Sequence, residues 1–355
     1  MKKTVFYISV LAVILLIILR AEEVILYARD AMKMCYEIII PTLFPFFICS
    51  SLLIYSGFGS VMAKMTSKIM HPLFNIPPSG SAAFILGIIS GFPVGSITCV
   101  QLYKSGALSK SEAERLLAFC NNSGPLFIID SVGVAIYGKL SYGLILYLIH
   151  IISSIAVGII FRSYNKDKHN SPPHILTTNE MPLGEVISVS LSNASSNIIS
   201  VCFCIIFFSS ICRVLLSLAP LSQFADAVVS GLFEFSTGVL KTSMLESSLY
   251  KKLLTTSFIL GFSGLSVHLQ VMTATSQSGL SLKPYILGKL LHAVLALFAT
   301  AVVFRFVPIS TYVFSPSNAI LSASFMSVVM MILLANAVIA VITMMFFIGC
   351  KRCRT

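Results

Sequence analysis

The stretch of the chain from residue 84 to 138 is apolar, but Gly, Pro, Ser and Asn interrupt it twice. The first interruption is residues 90–96 (SGFPVGS) and the second is residues 121–125 (NNSGP). A soluble core has little need of such clusters. A membrane helix that opens its backbone towards a polar ligand does need them, since unpaired backbone in a bilayer must be buried in protein or line a cavity. We therefore expect the rest of the chain to be organised around this stretch.

The composition indicates an integral membrane protein with several spans. Of the 355 residues, 57% are hydrophobic and only 10% are charged, whereas soluble domains contain about 25% charged residues. The apolar runs have the length of transmembrane helices, about 17–25 residues, and not the pattern of ~10-residue alternating segments of an outer-membrane barrel. We therefore predict an all-α polytopic membrane protein in contact with the lipid bilayer.

The net charge of +11 does not indicate binding of nucleic acid. The Lys and Arg residues are spread over the short connections between apolar runs, as topology signals usually are. The sequence also has no HExxH, GxSxG, P-loop or GxGxxG motif. We therefore expect no nucleic-acid partner, no catalytic residues, no cofactor and no metal.

The order of apolar runs and polar connections divides the chain into five segments. They are a first transmembrane helix with an amphipathic interfacial helix (1–37), a first half (38–161), a polar loop (162–184), a second half (185–308), and a last transmembrane helix with a basic tail (309–355). In the two halves we predict spans at 38–55, 82–103, 116–137, 141–161, 185–218, 222–242, 253–272 and 284–307, with a loop at 57–81.

A short motif indicates that the two halves are repeats. Residues 84–87 (FILG) recur as residues 258–261, and each copy is followed within two residues by Ser-Gly. Duplicated halves with broken or re-entrant helices are typical of secondary transporters, in which the broken helices expose backbone groups and helix-dipole ends at the midplane. The inverted relation of the halves is expected from that analogy and cannot be read from the sequence.

The motifs around the interruptions resemble a known family. They are GFPVGS (91–96), KSGAL (104–108), EAERLLAFCNNSGPLFII (112–129), EFSTG (234–238) and GLSVHLQ (264–270). With these motifs the chain resembles the YlbJ-type sporulation integral membrane proteins of the nucleoside-recognition, or Gate, domain group. That group is distantly similar to the concentrative nucleoside transporters. The resemblance extends over roughly residues 30–310.

The resemblance implies a role late in sporulation. YlbJ-type proteins are associated with moving dipicolinic acid, a flat pyridine ring with two carboxylates, from the mother cell through the outer forespore membrane. It therefore implies a multi-pass protein of that membrane that moves dipicolinate by alternating access. The residues alone leave open a carrier of nucleosides or other small metabolites and a non-transporting membrane scaffold. They also leave open a coupling ion (H⁺ or Na⁺) and a homo-oligomer.

The polar residues at the two interruptions and at a third one in the second half (residues 261–270), together with Arg213 at the end of an apolar run, form the predicted substrate site. It comprises Ser90, Ser96, Asn121, Asn122, Ser123, Gly124, Ser263, Ser266, His268, Gln270 and Arg213. The residues predicted to give the backbone its freedom at the breaks are Gly91, Pro93, Gly95, Pro125 and Gly264. The alternative for the polar set is hydrogen bonding between helices, which is common in membrane proteins.

Two acidic residues are predicted to bind a coupling ion or to pair with a cation. Glu234 lies inside an apolar run, and Asp130 stands where family members usually have a small residue. A dianionic substrate also demands positive potential. We therefore expect His268, Arg213, Lys104 or helix N-termini to converge on the substrate cavity.

Overall fold

The computed structural model describes residues 2–55, 58–165, 182–218 and 221–306. Within these residues every regular element is helical, as predicted. The helices long and apolar enough to cross a membrane are Leu140–Phe161, Leu183–Leu218, Leu249–Thr275 and Lys283–Arg305, and the pair Lys68–Phe74 and Pro78–Ser90, bent by 92°, makes up to five. The last predicted span, in 309–355, and most of the loop 162–184 lie outside the described residues.

The helices follow one another in this order. The first part of the chain contains α1 (Lys2–Leu19), α2 (Ala21–Met34), a π-helix π1 (Cys35–Ile39), α3 (Ile40–Tyr55), α4 (Phe58–Phe74), a 3₁₀ turn (Pro78–Gly80), α5 (Ser81–Ser90), α6 (Val94–Lys104), α7 (Lys110–Leu117), a second π-helix π2 (Leu126–Ile136) and α8 (Leu140–Phe161). The second part contains α9 (Leu183–Leu218), α10 (Gln223–Phe233), α11 (Phe235–Ser243), α12 (Leu249–Phe262), α13 (Gly264–Thr275) and α14 (Lys283–Phe306).

The segment predicted as a loop at 57–81 is mostly helical, so that prediction was wrong. Helix α4 is amphipathic: Met70 and Phe74, four residues apart, are buried, whereas Lys64 and Lys68 on another face are exposed. The loop was predicted from the lysines and prolines of this segment. Pro72, however, lies in the last turn of α4 without ending the helix. Helix α1 forms as predicted over Lys2–Leu19, but it is not among the helices identified as membrane spans, so the first span stays a prediction.

Two pairs of short helices, α5–α6 and α10–α11, fold back on themselves. Residues seven or eight apart in one straight helix are separated by more than about 10 Å. A Cβ built at Gly87 would nevertheless lie 3.1 Å from the Cα of Gly95, and one built at Gly238 would lie 2.1 Å from the Cα of Gly231. Each pair is therefore a helical hairpin whose two arms touch through glycines.

These hairpins correct two of the predicted spans. The segments 82–103 and 222–242 do not run on in one direction, and each hairpin arm has only 9 to 11 residues, fewer than the ~20 of a transmembrane helix. The interruption predicted at residues 90–96 is present and forms the tip of the first hairpin. Glu234, which was predicted in the middle of a span, lies at the tip of the second hairpin in the structure.

Two further helical segments are broken without a hairpin. Helix α7 is followed by a non-helical segment at residues 121–124, after which π2 begins. Helices α12 and α13 together form one 27-residue span with a break at Ser263, whose φ of 76° lies in the left-handed region. Both breaks lie where the NNSGP and Ser-Gly motifs predict them, because the signals for a helix break are local.

The order of hairpin, broken helix and long helix occurs twice in the described chain. It is α5–α6, α7–π2 and α8 in the first half, and α10–α11, α12–α13 and α14 in the second. The matched FILG motifs do not occupy equivalent places in this order, because residues 84–87 lie in a hairpin arm and residues 258–261 in a broken helix. The repeat therefore stays a prediction. If the two halves do correspond, the hairpin α5–α6 has to be equivalent to the hairpin α10–α11.

Helix α7, which leads into the first break, is held at both ends by charged residues. The Ser109 hydroxyl accepts the N–H of Glu112 at 3.3 Å, and the Glu112 carboxylate accepts the N–H of Ser109 at 2.7 Å, which together form a capping box. The buried Arg115 guanidinium donates to the carbonyls of Asn75 and Tyr164 at 2.9 and 3.0 Å. These contacts fix α7 against the ends of α4 and α8.

Candidate functional site

A cavity of about 40 Å³ lies where the first hairpin tip, the break after α7 and the break in α12–α13 meet. Two of the three segments are in direct contact, since a Cβ built at Gly91 would lie 2.8 Å from the backbone nitrogen of Gly124. The residues of the predicted substrate site and breaks that line the cavity are Ser90, Gly91, Ser123, Gly124, Ser266 and Gln270. The structure thus brings together residues from three separate interruptions of the sequence.

Aromatic and aliphatic side chains form the rest of the cavity wall. The Phe92 and Phe127 rings both pack edge-on against Phe235, with ring centroids 5.6 and 5.0 Å apart. Phe235 is the first residue of α11, so the second hairpin also contributes to the wall. The other apolar lining residues are Ile39, Leu43, Phe47, Val201, Ile205 and Val267. An apolar wall with a few polar groups is typical of sites for small organic molecules.

Three side-chain oxygens of the cavity residues have no hydrogen-bond partner among the described residues. They are the hydroxyls of Ser90 and Ser266 and the side-chain carbonyl of Gln270. All three residues are buried. Leaving a buried polar atom unpaired costs about 1–3 kcal/mol, so each is an atom that a bound molecule can satisfy.

The Asn-Asn-Ser break is fixed by a histidine from α8. The backbone N–H of Ser123 donates to His150 Nε2 at 3.1 Å, and Asn122 Nδ2 donates to the carbonyl of Phe119 at 2.9 Å. The Asn122 side-chain oxygen and both amide atoms of Asn121 have no partner in the described structure. The break therefore presents the Asn121 amide and the Asn122 side-chain oxygen as buried polar groups that no described backbone group satisfies.

Lys289 on α14 is a functional candidate that the sequence reasoning missed. Its side chain is 1% exposed. The ammonium donates to the carbonyl oxygen of Asn121 at 3.1 Å and lies 5.4 Å from the centroid of the Phe92 ring. An ionisable residue inside an apolar run marks a functional candidate by default, and this rule, which selects Glu234, selects Lys289 equally.

Glu234 caps the second arm of its hairpin. Its carboxylate accepts the backbone N–H groups of Ser236 and Thr237 at 3.1 and 2.7 Å and the Ser236 hydroxyl at 2.6 Å. Lys241, a cation close to it in sequence, instead binds the carboxylate of Asp226 at 2.8 and 2.9 Å. An ion that binds Glu234 has to share its oxygens with these donors, and the coupling-ion role stays a prediction.

Comparison with known proteins gives one informative relative. The sporulation integral membrane protein YlbJ of Bacillus subtilis (strain 168) is 31% identical to the chain over 305 residues, which covers 76% of this chain and 74% of YlbJ. The chain belongs to the YlbJ family of sporulation integral membrane proteins. No family model matches the chain, and no solved structure matches it significantly. Membership of the Gate domain group and the similarity to concentrative nucleoside transporters therefore stay predictions.

Three predicted site residues of this YlbJ family member use their side chains within their own helical segment. The hydroxyls of Ser96 and Ser263 donate to the carbonyls three residues earlier at 2.7 and 3.2 Å, and His268 Nδ1 lies 2.8 Å from the carbonyl oxygen of Gly264. None of the three is among the residues that line the cavity. The residues predicted to free the backbone all lie in or beside a break: Gly91, Pro93, Gly95, Pro125 and Gly264.

Three charged residues predicted to act at the site of this YlbJ family member lie elsewhere. The Arg213 guanidinium pairs with the carboxylate of Asp30 at 2.8 Å and covers the Tyr27 ring at 4.2 Å from its centroid. Asp130 on π2 and Lys104 at the end of α6 are exposed. The expected convergence of cations on the cavity therefore does not include Arg213 or Lys104, whereas Lys289 contacts the break directly through the Asn121 carbonyl.

Proposed function

We propose that this YlbJ family member transports dipicolinic acid from the mother cell across the outer forespore membrane, by alternating access at the cavity between the breaks. The observation that carries the proposal is the convergence of three broken segments on one cavity with unpartnered polar atoms. Membership of a family of sporulation integral membrane proteins supports action in a membrane during sporulation. The name of the substrate comes from the resemblance to YlbJ-type proteins.

The cavity wall suits a flat aromatic acid. The rings of Phe92, Phe127 and Phe235 offer apolar faces and edges against which a pyridine ring packs. The hydroxyls of Ser90 and Ser266 are unpartnered donors for a carboxylate. In this proposal the breaks recognise the substrate and the hairpins control its access.

Transport requires the cavity to open. Its volume of about 40 Å³ is far below the roughly 300–1,000 Å³ of typical small-molecule sites. The first hairpin contributes Ser90, Gly91 and Phe92 to the wall, and the second contributes Phe235. We infer that movement of one hairpin at a time opens the cavity to one side of the membrane, as alternating access demands.

Two other functions have an observation in their favour. Every described residue that lines the cavity is uncharged, which favours a neutral solute such as a nucleoside. The small volume favours a scaffold whose broken helices only pack together. Direct transport measurements separate these two from the carrier of an aromatic dicarboxylate.

Uptake into proteoliposomes tests the proposed function. The full chain is reconstituted, and uptake of radiolabelled dipicolinate and of uridine is compared with that of protein-free liposomes. We expect saturable dipicolinate uptake without uridine uptake. Uridine uptake alone would refute the substrate, and no flux of either solute would favour the scaffold.

A pair of asparagine variants connects the flux to the break. Asn122→Ala removes a buried amide at the break, and we expect a fall in dipicolinate uptake of about 10-fold, as for the loss of one buried hydrogen bond. Asn193→Ala is the matched control, because it removes an asparagine that bonds the Tyr55 hydroxyl on α3 at 2.8 Å, away from the break. Equal losses in both variants would show a general loss of folding.

A further inference from the structure

Lys289 is a buried lysine without a carboxylate partner among the described residues. The four ion pairs of that part of the chain all join other side chains. The groups that interact electrostatically with its amine are His150, His268, His292 and the Cys120 thiol, none of which is a carboxylate. Burying an unpaired ammonium is costly, and pairing with an anion offsets that cost. The surroundings of Lys289 therefore favour the arrival of an anion.

Two further hydrogen-bond donors lie beside this ammonium. Tyr285 precedes Lys289 by four residues on α14, so the two side chains lie on the same face of the helix. The Tyr285 side chain also lies beside the side chain of Asn121, whose carbonyl binds Lys289. The Tyr285 hydroxyl and the Asn121 side chain are buried and interact with each other, and neither makes a hydrogen bond of normal geometry to any described residue. An ammonium has three donors, and Lys289 makes one hydrogen bond, to the Asn121 carbonyl.

We propose that Lys289, Asn121 and Tyr285 form an anion subsite that binds a carboxylate group of the transported molecule. The inference rests on the proposed function and deepens it, because it assigns the substrate to the organic carboxylates and not to the neutral nucleosides. A carboxylate supplies the acceptors that these three donors lack, and it neutralises the buried charge.

Phe92 connects this subsite with the cavity. Its ring lines the cavity and also lies under the Lys289 ammonium. Movement of the hairpin tip that displaces the ring would therefore extend the cavity towards Lys289. One carboxylate then reaches Lys289, while the aromatic ring and the second carboxylate occupy the space next to Ser90 and Ser266. This arrangement explains how the protein binds a dianion although the wall of the closed cavity is uncharged, since the positive side chain lies behind the Phe92 ring.

A purely structural role for Lys289 makes a different prediction about binding. In either role Lys289→Met leaves the Asn121 carbonyl without its donor, so the melting temperature of the ligand-free variant does not separate the two roles. The affinity for a dicarboxylate does separate them, because only an anion subsite requires a cationic side chain at this position, and Lys289→Arg keeps that cation.

Binding is measured by thermal unfolding of the full chain in detergent, titrated with sodium pyridine-2,6-dicarboxylate. We expect a rise in melting temperature for the wild type and for Lys283→Met, which removes an exposed lysine from the same helix. For Lys289→Met we expect the half-saturating concentration to rise at least about 10-fold, which is the effect of losing a charge-assisted hydrogen bond. Lys289→Arg keeps the cation and should retain part of the wild-type affinity for the dicarboxylate. Pyridine, which has no carboxylate, should produce no shift.

The outcomes distinguish this inference from the proposed function. Equal half-saturation in wild type and Lys289→Met would overturn the inference, as would the absence of any dicarboxylate effect on the wild type. If Lys289→Met does not fold, Tyr285→Phe provides a second test, because it removes one hydroxyl only. We expect this variant to bind the dicarboxylate more weakly than the wild type. Unchanged binding would contradict the subsite. Lys289-dependent binding without flux would leave the inference standing and refute transport. Dipicolinate flux with an unchanged KM in Lys289→Met would support transport and refute the subsite.

Discussion

The substitution Gly87→Ala tests whether the first hairpin packs on the break after α7. A Cβ built at Gly87 would lie 1.8 Å from the carbonyl oxygen of Cys120, and one built at Gly95, on the other arm, would lie 2.0 Å from the same oxygen. The two arms therefore enclose this carbonyl, one residue before Asn121. Because a carbon and a carbonyl oxygen in contact are about 3.3 Å apart, the alanine has to push the hairpin arm away by about 1.5 Å.

Overpacking of this kind costs typically about 1–3 kcal/mol, which raises the population of the opened hairpin about 5- to 150-fold. Cys120 is a natural reporter, because it is a free thiol and fully buried. We expect faster modification of Cys120 by a maleimide in Gly87→Ala than in the wild type, measured by mass spectrometry of the labelled peptide. The melting temperature of the variant should fall as well.

Gly184→Ala is the matched control for this experiment. A Cβ built at Gly184 has no heavy atom within 4 Å, so we expect Cys120 labelling at the wild-type rate. If Gly87→Ala keeps both the wild-type labelling rate and the wild-type melting temperature, the hairpin does not pack on the break, and the description of the site is wrong.

Three further substitutions probe the breaks. His150→Ala removes the acceptor of the Ser123 N–H and should cost about 1–3 kcal/mol; hydrogen exchange of the Ser123 amide should accelerate, and unchanged protection would contradict the contact. Ser263→Gly relieves a left-handed φ of 76° and should stabilise the chain by about 1 kcal/mol, so a lower melting temperature would count against the strained break. Glu234→Ala removes the N-cap of α11 and should lower the stability by about 0.5–2 kcal/mol, and an unaltered melting temperature would rule out that cap.

The positions of the breaks could be predicted from the sequence because their signals are local. Residues 90–96 and 121–125 concentrate Gly, Pro, Ser and Asn, which interrupt a helix whatever surrounds it. The capping box at Ser109 and Glu112 depends on an equally local pattern of residues. Six residues from the interruptions line one cavity, although their role in binding stays a prediction.

The direction of the chain after a break could not be predicted in the same way. The segments 82–103 and 222–242 have the composition of spans, and only the contacts of Gly87 with Gly95 and of Gly231 with Gly238 show that they are hairpins. Such contacts depend on packing between helices and leave no periodicity in the sequence. For the same reason the FILG match paired a hairpin arm with a broken helix.

The burial of charged residues also depends on packing that the sequence does not reveal. Arg213 and Lys289 are both single cations in apolar runs. Arg213 meets Asp30 on α2, whereas Lys289 meets the Asn121 carbonyl inside the protein. The prediction placed Arg213 at the substrate site and did not consider Lys289, whereas in the structure Arg213 pairs with Asp30 and Lys289 contacts the break.

The measurement that tests the central claim most directly is protection of the cavity by the substrate. Ser266→Cys places a thiol in the cavity wall, and Ser247→Cys places one in an exposed loop as a control. We predict that dipicolinate slows maleimide labelling at position 266, with a concentration dependence that matches the KM of uptake, and leaves labelling at position 247 unchanged. Labelling at position 266 that is indifferent to dipicolinate, in a preparation that transports it, would show that the substrate does not pass through the cavity between the breaks.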